Sequence, residues 1–264
     1  MVDVSVFKKN GKILMLALDH RGSLKKLLRP HDPESTSSRE MVDFKKAILS
    51  TVGKQASGVL LDINYGIDAY KQLNSTMPAV FAIDKSGYVG SESERITEVA
   101  YTAGDLKNLG ALGTKLLVQV NPTKRSFETQ LEVAKKVLDD AHANELPLFL
   151  EFVNYDMEPQ VPETLKLFLE AGINPDVYKL EYPGNLEKSM EVTNMLGNIP
   201  WILLTKGVDF PEFKERLTTS IKGGCSGFLA GRALWKELPT VADKQLFLDE
   251  TLPTRFKEIV EICS

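Results

Sequence analysis

Cysteine and histidine are scarce in this sequence. The chain of 264 residues contains only two cysteines and three histidines. Cys225 and Cys263 have no CxxC spacing and are too few for the disulfide framework of a small secreted domain, so we expect both to be reduced thiols. No two histidines lie at i, i+4 or at another ligand spacing, which argues against a histidine-bound catalytic zinc.

Long apolar runs and an excess of positive charge are also missing. The longest clean apolar run near the N-terminus, 13–18, is about a third of the roughly 20 residues that span a bilayer, and it lacks the cleavage site of a signal peptide. A formal net charge of −4 gives no general electrostatic reason to bind nucleic acid. We therefore expect a cytoplasmic protein that binds neither membranes nor nucleic acid.

What is present is a regular alternation of short apolar runs with helical patterns, which is typical of repeated βα units. The helical segments carry their own boundary signals. Pro162 and Gly172 bracket one predicted helix, and Ser126 is the predicted N-cap of another. The eight predicted strands are 13–19, 58–62, 79–84, 114–120, 147–153, 177–182, 201–205 and 227–230.

Eight βα units in a chain of this length predict an α/β protein with a single (β/α)8 TIM barrel, formed by residues 1–264 as one domain. The alternative is a doubly wound open sheet. Against that alternative, the first predicted strand is followed by the sequence HRGS at 20–23 and not by the GxGxxG that binds dinucleotides. The two long polar loops, 28–38 and 85–95, both follow strands, on the face where barrel active sites are built.

Several predicted strands contain or end in an ionisable residue, although buried strands rarely carry a charge without a partner. Alternate strand residues point to the same face, so Lys179 and Glu181 should share one. If that face is the barrel interior, Lys115, Glu151 and Lys179 become neighbours. The complete set is Asp19, Asp62, Asp84, Lys115, Glu151, Lys179 and Glu181.

A lysine in such a cluster suits covalent carbonyl chemistry, because only the neutral amine forms a Schiff base. At the reference pKa of about 10.4, roughly one lysine in two thousand is neutral at pH 7. We therefore expect desolvation and the neighbouring Lys115 to lower the pKa of Lys179, with Glu151 moving protons. From position alone, an internal structural ion-pair network is the alternative. Asp62 is more often a helix cap than a catalyst, and Asp84 could be either.

Glycine-containing turns follow the seventh and eighth predicted strands, where barrels commonly bind a phosphate, although such turns are also ordinary barrel turns. Glycine lets the backbone approach an anion, and an arginine can contact it with two N–H groups. Arg21 and Lys25, after the first strand, could bind a second anion. The turns contain Thr205, Lys206, Gly207, Gly231 and Arg232.

In these stretches the chain resembles the class I tagatose-1,6-bisphosphate aldolase group, which includes the bacterial sulfofructosephosphate aldolases. Members of the group are metal-independent (β/α)8 enzymes, so the resemblance implies no metal and no cofactor. It covers nearly the whole chain, in order, on seven of the eight predicted strands. The matching stretches are LALDHRGSLKKLL at 16–28, GVLLDINYG at 58–66, DKSGY at 84–88, KLLVQVNP at 115–122, LFLEFVNYD at 148–156, DVYKLEYP at 176–183 and SGFLAGRALW at 226–235.

The resemblance implies that Lys179 forms the Schiff base, that Glu151 transfers protons and that Lys115 acts beside them. Asp19 and Arg21 match substrate contacts of the first strand. The segment between Glu151 and Lys179 is much shorter than in the tagatose enzymes. Residues expected to bind substrate or its phosphate are His20 (where those enzymes usually have glutamine), Arg21, Thr205 (for serine), Lys206 (an added cation), Gly207, Gly231 and Arg232.

These departures affect substrate choice more than chemistry, because loops after the strands select the distal half of a substrate. The expected reaction is the reversible cleavage of tagatose or fructose 1,6-bisphosphate, or of a sulfofructose 1-phosphate-like ketose, to dihydroxyacetone phosphate and an aldehyde. A small phosphosugar is the expected partner, and we expect a homo-oligomer.

Two rival functions use the same barrel. A non-covalent enzyme of the orotidine-phosphate-decarboxylase type also has a first strand that reads LALD, but it carries DxKxxD on one strand. Here Lys115 has Gly113 two residues before it and Val118 three after it. A non-catalytic sugar-phosphate sensor would bind the phosphate without turnover.

Overall fold

Each of the eight predicted strands forms, and each pairs in parallel with a neighbour on both sides. The computed structural model describes residues 1–264. The last strand pairs with the first, with Phe228 opposite Leu14, so the sheet closes and the doubly wound alternative is wrong. In chain order the strands are β1 (Lys12–Leu18), β2 (Gly58–Leu61), β3 (Ala79–Ala82), β4 (Gly113–Val120), β5 (Leu148–Asn154), β6 (Val177–Leu180), β7 (Trp201–Leu204) and β8 (Gly227–Ala230).

Helices follow the strands and cover the outside of the barrel, as in a (β/α)8 fold. The predicted helix between Pro162 and Gly172 forms, and Gly172 adopts a left-handed φ of 73° just beyond its end. The main helices are α1 (Ser38–Val52), α2 (Gly66–Gln72), α3 (Ala103–Asn108), α4 (Ser126–Ala143), α5 (Val161–Glu170), α6 (Leu186–Leu196), α7 (Phe210–Lys222) and α8 (Leu252–Ile262).

The predicted N-cap of α4 is wrong. Ser126 is the first helical residue, and Arg125 occupies the cap position without a side-chain hydrogen bond. The backbone N–H of Ser126 donates instead to Glu94 Oε2, at 2.8 Å. The carboxylate of Glu94 therefore accepts a hydrogen bond from the helix N-terminus, as the side chain of a local N-cap residue usually does. A contact between distant segments leaves no local signal in the sequence.

Short elements complete the two ends of the barrel. A hairpin, Val89–Ser91 with Glu94–Ile96, lies within the loop between β3 and α3. The two-residue strand Lys8–Lys9 pairs antiparallel with β1. The remaining helical pieces are Gly22–Leu28, Arg232–Trp235 and Lys244–Leu246, the π-helical turn Phe247–Thr251, and the 3-10 turns Ser5–Phe7, Pro33–Ser35 and Gly53–Gln55.

The barrel interior is apolar at one end and charged at the other. Phe7 closes the N-terminal end of the strands, where its ring packs edge-on against Phe149 with centroids 5.3 Å apart. Further along the same strands, the inward positions become lysine and glutamate, so the charged groups lie at the carboxyl ends. None of the helices combines the length and the apolar character needed to span a membrane. The buried apolar residues of the interior are Val4, Phe7, Ile13, Met15, Ala17, Leu60, Val80, Ala82, Phe149, Val177, Ile202 and Leu229.

Candidate active site

Lys115, Glu151 and Lys179 meet inside the barrel, as the alternation along their strands predicts. Glu151 on β5 lies directly opposite Lys179 on β6. Lys179 Nζ donates to Glu151 Oε2 at 2.9 Å, and Lys115 Nζ lies 3.0 Å from the same oxygen. All three residues are buried, with exposed fractions of 1%, 7% and 5% in chain order. One carboxylate oxygen therefore bridges the amino groups of two buried lysines.

Two aspartates hold Lys115 on its other side. Its Nζ lies 3.1 Å from Asp19 Oδ2 and 3.5 Å from Asp84 Oδ1. Burial opposes the charged form of Lys115, but the charges of Asp84, Glu151 and Asp19 outweigh it and raise the pKa of this lysine. This environment therefore favours the charged form of Lys115. Asp84, whose role the sequence left open, belongs to the same cluster.

Glu151 is a carboxylate in this environment. Burial favours its neutral form, but the neighbouring ammonium groups of Lys115 and Lys179 prevail and lower the pKa of Glu151. The sequence suggested direct repulsion between the two lysines, whereas the structure places Glu151 between them. Lys179 therefore has a proton acceptor within hydrogen-bond reach. That Lys179 readily loses its proton to become the neutral amine stays a prediction.

A cavity of about 230 Å³ opens above Lys179, and we call it the active cavity. Lys179 and Glu151 form its base. Asp19 and Lys115 lie beneath that base and do not line the cavity. The lining residues are Ala17, His20, Leu117, Gln119, Glu151, Val153, Lys179, Leu204, Thr205, Lys206, Leu229, Gly231 and Arg232.

The β7 and β8 side of the active cavity is suited to an anion. Arg232 Nε is buried there without a hydrogen-bond partner, and the buried His20 Nδ1 is also unpartnered but lies 3.7 Å from Asp19 Oδ1. Burial lowers the pKa of His20 to about 3, although Asp19 acts in the opposite direction, so the ring is neutral. Gly207 has a left-handed φ of 78°, and a Cβ at this position would lie 3.3 Å from Arg232 Cζ. Glycine thus allows the turn and the guanidinium to lie close together.

Lys206 lines the active cavity but also pairs with a buried carboxylate. Its Nζ contacts Oε1 of Glu181, and the backbone N–H of Asn154 donates to Glu181 Oε2 at 2.8 Å. Burial raises the pKa of Glu181 and Lys206 only partly offsets this. Glu181 lies one residue beyond β6, which ends at Leu180, and it does not line the active cavity, so its predicted place on the lumenal face of Lys179 stays a prediction.

Arg21 lies outside the active cavity. Its Nη1 and Nη2 donate to the backbone oxygen and to Oδ2 of Asp84, at 2.8 and 2.9 Å. With Lys25 it lines a separate cavity of about 530 Å³, where Lys25 Nζ lies 2.8 Å from Glu34 Oε2. Both cations of the suggested second anion site are therefore already paired with carboxylates.

Asp62 is a helix cap, as its strand-end position suggested. Its side chain accepts hydrogen bonds from the backbone N–H groups of Tyr65, at 2.8 Å, and Gly66, at 3.2 Å, at the start of α2. It also pairs with the buried Lys45 of α1, which donates to the backbone oxygen of His20 at 2.9 Å. The Lys45–Asp62 pair therefore holds the carboxyl end of β1 against α1.

Sequence reasoning missed Gln119 and Lys45. Gln119 lines the active cavity two pleats along β4 from Lys115, so the alternation that placed Lys115 inside could also have found it. Lys45 gives no such signal, because a lysine in an amphipathic helix is ordinarily assigned to the exposed face.

Residues 13–237 match the family described as DeoC/LacD family aldolase. The chain belongs to this family. It is 28% identical over 268 aligned positions to a tagatose 1,6-diphosphate aldolase of Lactococcus lactis subsp. lactis, covering 86% of this chain and 81% of that enzyme. The chain is thus an aldolase, a carbon–carbon lyase.

Two solved structures share the fold of this aldolase. A Schiff-base-forming fructose-1,6-bisphosphate aldolase superposes with a TM-score of 0.70 at 17% identity, over 99% of this chain and 98% of that one. An archaeal fructose-1,6-bisphosphate aldolase, whose catalytic lysine is bound to a carbinolamine intermediate, gives a TM-score of 0.69 at 16% identity, over 98% and 97%. At these identities the matches establish the barrel fold.

Proposed function

We propose that this aldolase is a class I enzyme that forms a Schiff base through Lys179. Its reaction is the reversible cleavage of a ketose phosphate to dihydroxyacetone phosphate and an aldehyde. The observation that carries the proposal is the placement of Lys179 Nζ at the base of the active cavity, 2.9 Å from the buried carboxylate of Glu151. The names of the relatives, and the fold shared with Schiff-base aldolases, support the same chemistry.

The substrate phosphate at C1 binds on the β7 and β8 side of the active cavity. There the backbone of 205–207, the buried Nε of Arg232 and the neutral His20 offer donors to an anion. A C1 phosphate held at this side directs the C2 carbonyl of the ketose towards Lys179 on the adjacent strand, β6.

Glu151 carries the protons in the covalent steps. It accepts a proton from the ammonium of Lys179, whose amine then adds to C2. A proton passes from the new C–N nitrogen to the C2 oxygen and gives the neutral carbinolamine. It returns that proton to the carbinolamine hydroxyl, which leaves as water and gives the iminium ion. The Glu151 carboxylate next accepts the C4 hydroxyl proton. The C3–C4 bond breaks, its electron pair forms the enamine, and the aldehyde departs.

The second half of the cycle restores the enzyme. Glu151 donates its proton to C3 of the enamine, and the resulting iminium ion adds water and releases dihydroxyacetone phosphate. Lys115 takes no proton in this sequence. Its fixed charge keeps Glu151 ionised at the start of each cycle.

Three ketoses fit the active cavity in chemical terms: tagatose 1,6-bisphosphate, fructose 1,6-bisphosphate and a sulfofructose 1-phosphate-like sugar. All have a C1 phosphate, a C2 carbonyl and an anionic distal end. The relatives named tagatose 1,6-diphosphate aldolase favour the first. Cleavage rates of the three, measured by coupled detection of dihydroxyacetone phosphate, decide among them.

Borohydride trapping tests the covalent step. The protein is incubated with dihydroxyacetone phosphate and EDTA, reduced, digested and mapped by mass spectrometry. We expect one adduct on Lys179, its loss in Lys179→Arg, and its retention in Lys206→Met, a matched control that removes another lysine of the same cavity. An unmodified Lys179 in a protein that binds dihydroxyacetone phosphate would refute the proposal and favour a non-covalent lyase or a sugar-phosphate sensor.

A further inference from the structure

On the wall of the active cavity opposite the phosphate side lies the side-chain amide of Gln119. Arg95, which does not line the cavity, fixes the orientation of this amide. Gln119 projects from β4, and its Oε1 accepts a hydrogen bond from Arg95 Nη1 at 2.8 Å. A guanidinium group can only donate, so the oxygen of this amide has to face Arg95. The Gln119 NH2 group has no hydrogen-bond partner within the protein, and Gln119 lines the active cavity.

Arg95 is held by two aromatic rings and by Glu92. Its guanidinium lies over the rings of Tyr88 and Tyr155, 4.6 Å from each centroid. Its Nη2 donates to Glu92 Oε2 at 2.7 Å, and its Nε donates to the backbone oxygen of Glu92 at 3.2 Å. A guanidinium with three of its five N–H donors engaged and two aromatic rings against it has little freedom to release Gln119.

The order of the strands places Gln119 on the distal half of a bound ketose. Around the barrel the strands run β8, β7, β6, β5, β4. The proposed phosphate site lies at β7 and β8, Lys179 on β6 and Glu151 on β5, so the substrate carbon chain runs towards β4. Gln119 is paired with Val153, two residues beyond Glu151 and nearer the mouth of the barrel. It therefore meets atoms beyond C4.

We propose that Gln119 is a specificity-determining residue whose amide N–H donates to an oxygen of the substrate beyond C4, and that Arg95 is its positioning residue. This inference rests on the proposed function. The ligand feature it predicts is a hydroxyl or anionic oxygen on the aldehyde half of the substrate. Dihydroxyacetone phosphate, which ends at C3, does not reach this amide.

Aldol addition in the synthetic direction provides the test. Gln119→Glu keeps an acceptor for Arg95 but turns the group facing the substrate from a donor into an acceptor, and Gln119→Met removes the donor without adding charge. With dihydroxyacetone phosphate as donor, we expect both variants to lower kcat/KM for D-glyceraldehyde 3-phosphate roughly tenfold to a hundredfold. For propanal, which has no oxygen beyond the new C4 hydroxyl, we expect a change of less than twofold.

The positioning role of Arg95 predicts that the effect of replacing it depends on the presence of Gln119. Arg95→Met should lower kcat/KM for D-glyceraldehyde 3-phosphate severalfold in the natural background, and by less than twofold when combined with Gln119→Met. Equal losses for both aldehydes, no loss for either, or additive effects of the two substitutions would each overturn the inference. All variants should retain the dihydroxyacetone phosphate adduct on Lys179. Absence of that adduct in the unmodified protein would instead refute the proposed function, and this inference with it.

Discussion

At the scale of single residues, three carboxylates surround the ammonium group of Lys115. Replacement by methionine leaves Glu151 with one cation in place of two, so burial then raises its pKa. The proposed mechanism requires Glu151 as a carboxylate, so the variant should lose activity at a higher pH than the natural enzyme does as the pH falls. We expect the acid limb of the kcat/KM profile of Lys115→Met to move up by about one pH unit or more.

Lys115→Arg is the control for that experiment, because it retains a cation beside the same carboxylates. Its acid limb should stay close to that of the natural enzyme, even if its rate is lower. A profile that moves equally in both variants would show that the charge of Lys115 does not set the ionisation of Glu151.

His20 makes folding stability depend on pH. Burial lowers its pKa from 6.5 to about 3, so the unfolded chain binds a proton that the folded protein excludes between these values. Stability from this residue is fully present above pH 6.5 and is lost as pH falls below it. Between pH 6.5 and 4.5 we expect a loss on the order of 2 kcal/mol that is absent in His20→Gln. Urea unfolding of both proteins at the two pH values measures it, and identical pH dependences would contradict it.

Whether a site residue could be predicted from the sequence depends on what determines the direction of its side chain. Lys115, Glu151 and Lys179 lie within strands, where a period of two sets the face of each side chain. Glu181 lies one residue beyond β6, where this period no longer applies. Lys45 is buried, although the amphipathic pattern of its helix would assign a lysine to the exposed face. Their positions depend on contacts with distant segments, which no local pattern encodes.

At the scale of elements, the seam between β1 and β8 closes the barrel and depends on one glycine. Gly227 has a φ of 139°, and a Cβ there would collide with the backbone oxygen of Ile13. We expect Gly227→Ala to lower the free energy of unfolding by at least about 3 kcal/mol. Gly172→Ala is the control, since its φ of 73° is also left-handed but no atom lies within 4 Å of the new Cβ. It should cost about 1 kcal/mol in urea unfolding, and equal costs would show that the collision is relieved by movement of the seam.

The strands were predictable as elements, but the hairpin at the mouth was not. Buried parallel strands are continuous apolar runs with helical patterns between them, so eight of them stand out in the sequence. In the hairpin, Val89–Ser91 is exposed and Glu94–Ile96 is half-buried. Arg95 and Glu94 make its contacts with β4 and α4. The sequence therefore indicated only a polar loop.

At the scale of the whole molecule, stability and chemistry occupy opposite ends of the barrel. Phe7 is completely buried at the closed end, against Phe149 and far from the carboxyl ends of the strands. We expect Phe7→Ala to lower the free energy of unfolding by about 3–5 kcal/mol. KM for the preferred ketose should remain within twofold at a temperature where the variant is folded. A large rise in KM with unchanged stability would contradict this separation.

Assembly into a homo-oligomer stays a prediction. The exposed surface of α6 includes Leu186 and Met190, which are 43% and 51% exposed. If subunits pair through this face, light scattering should report a multiple of 29.4 kDa for the natural chain. The double variant Leu186→Glu with Met190→Glu should then shift to the monomer mass, whereas an unchanged mass would place the subunit contact elsewhere.

The pairing of the first strand with the last one also sets when the enzyme can begin to work during synthesis. Lys115, Glu151 and Lys179 leave the ribosome before β8, yet the walls of the active cavity need Gly231 and Arg232 as well. At about 5–20 residues per second, seconds pass between the synthesis of Lys179 and that of β8, and until then the edges of β7 and β1 lack the strand that pairs with both. The same pairing therefore completes the active cavity and covers the last two edges of the sheet.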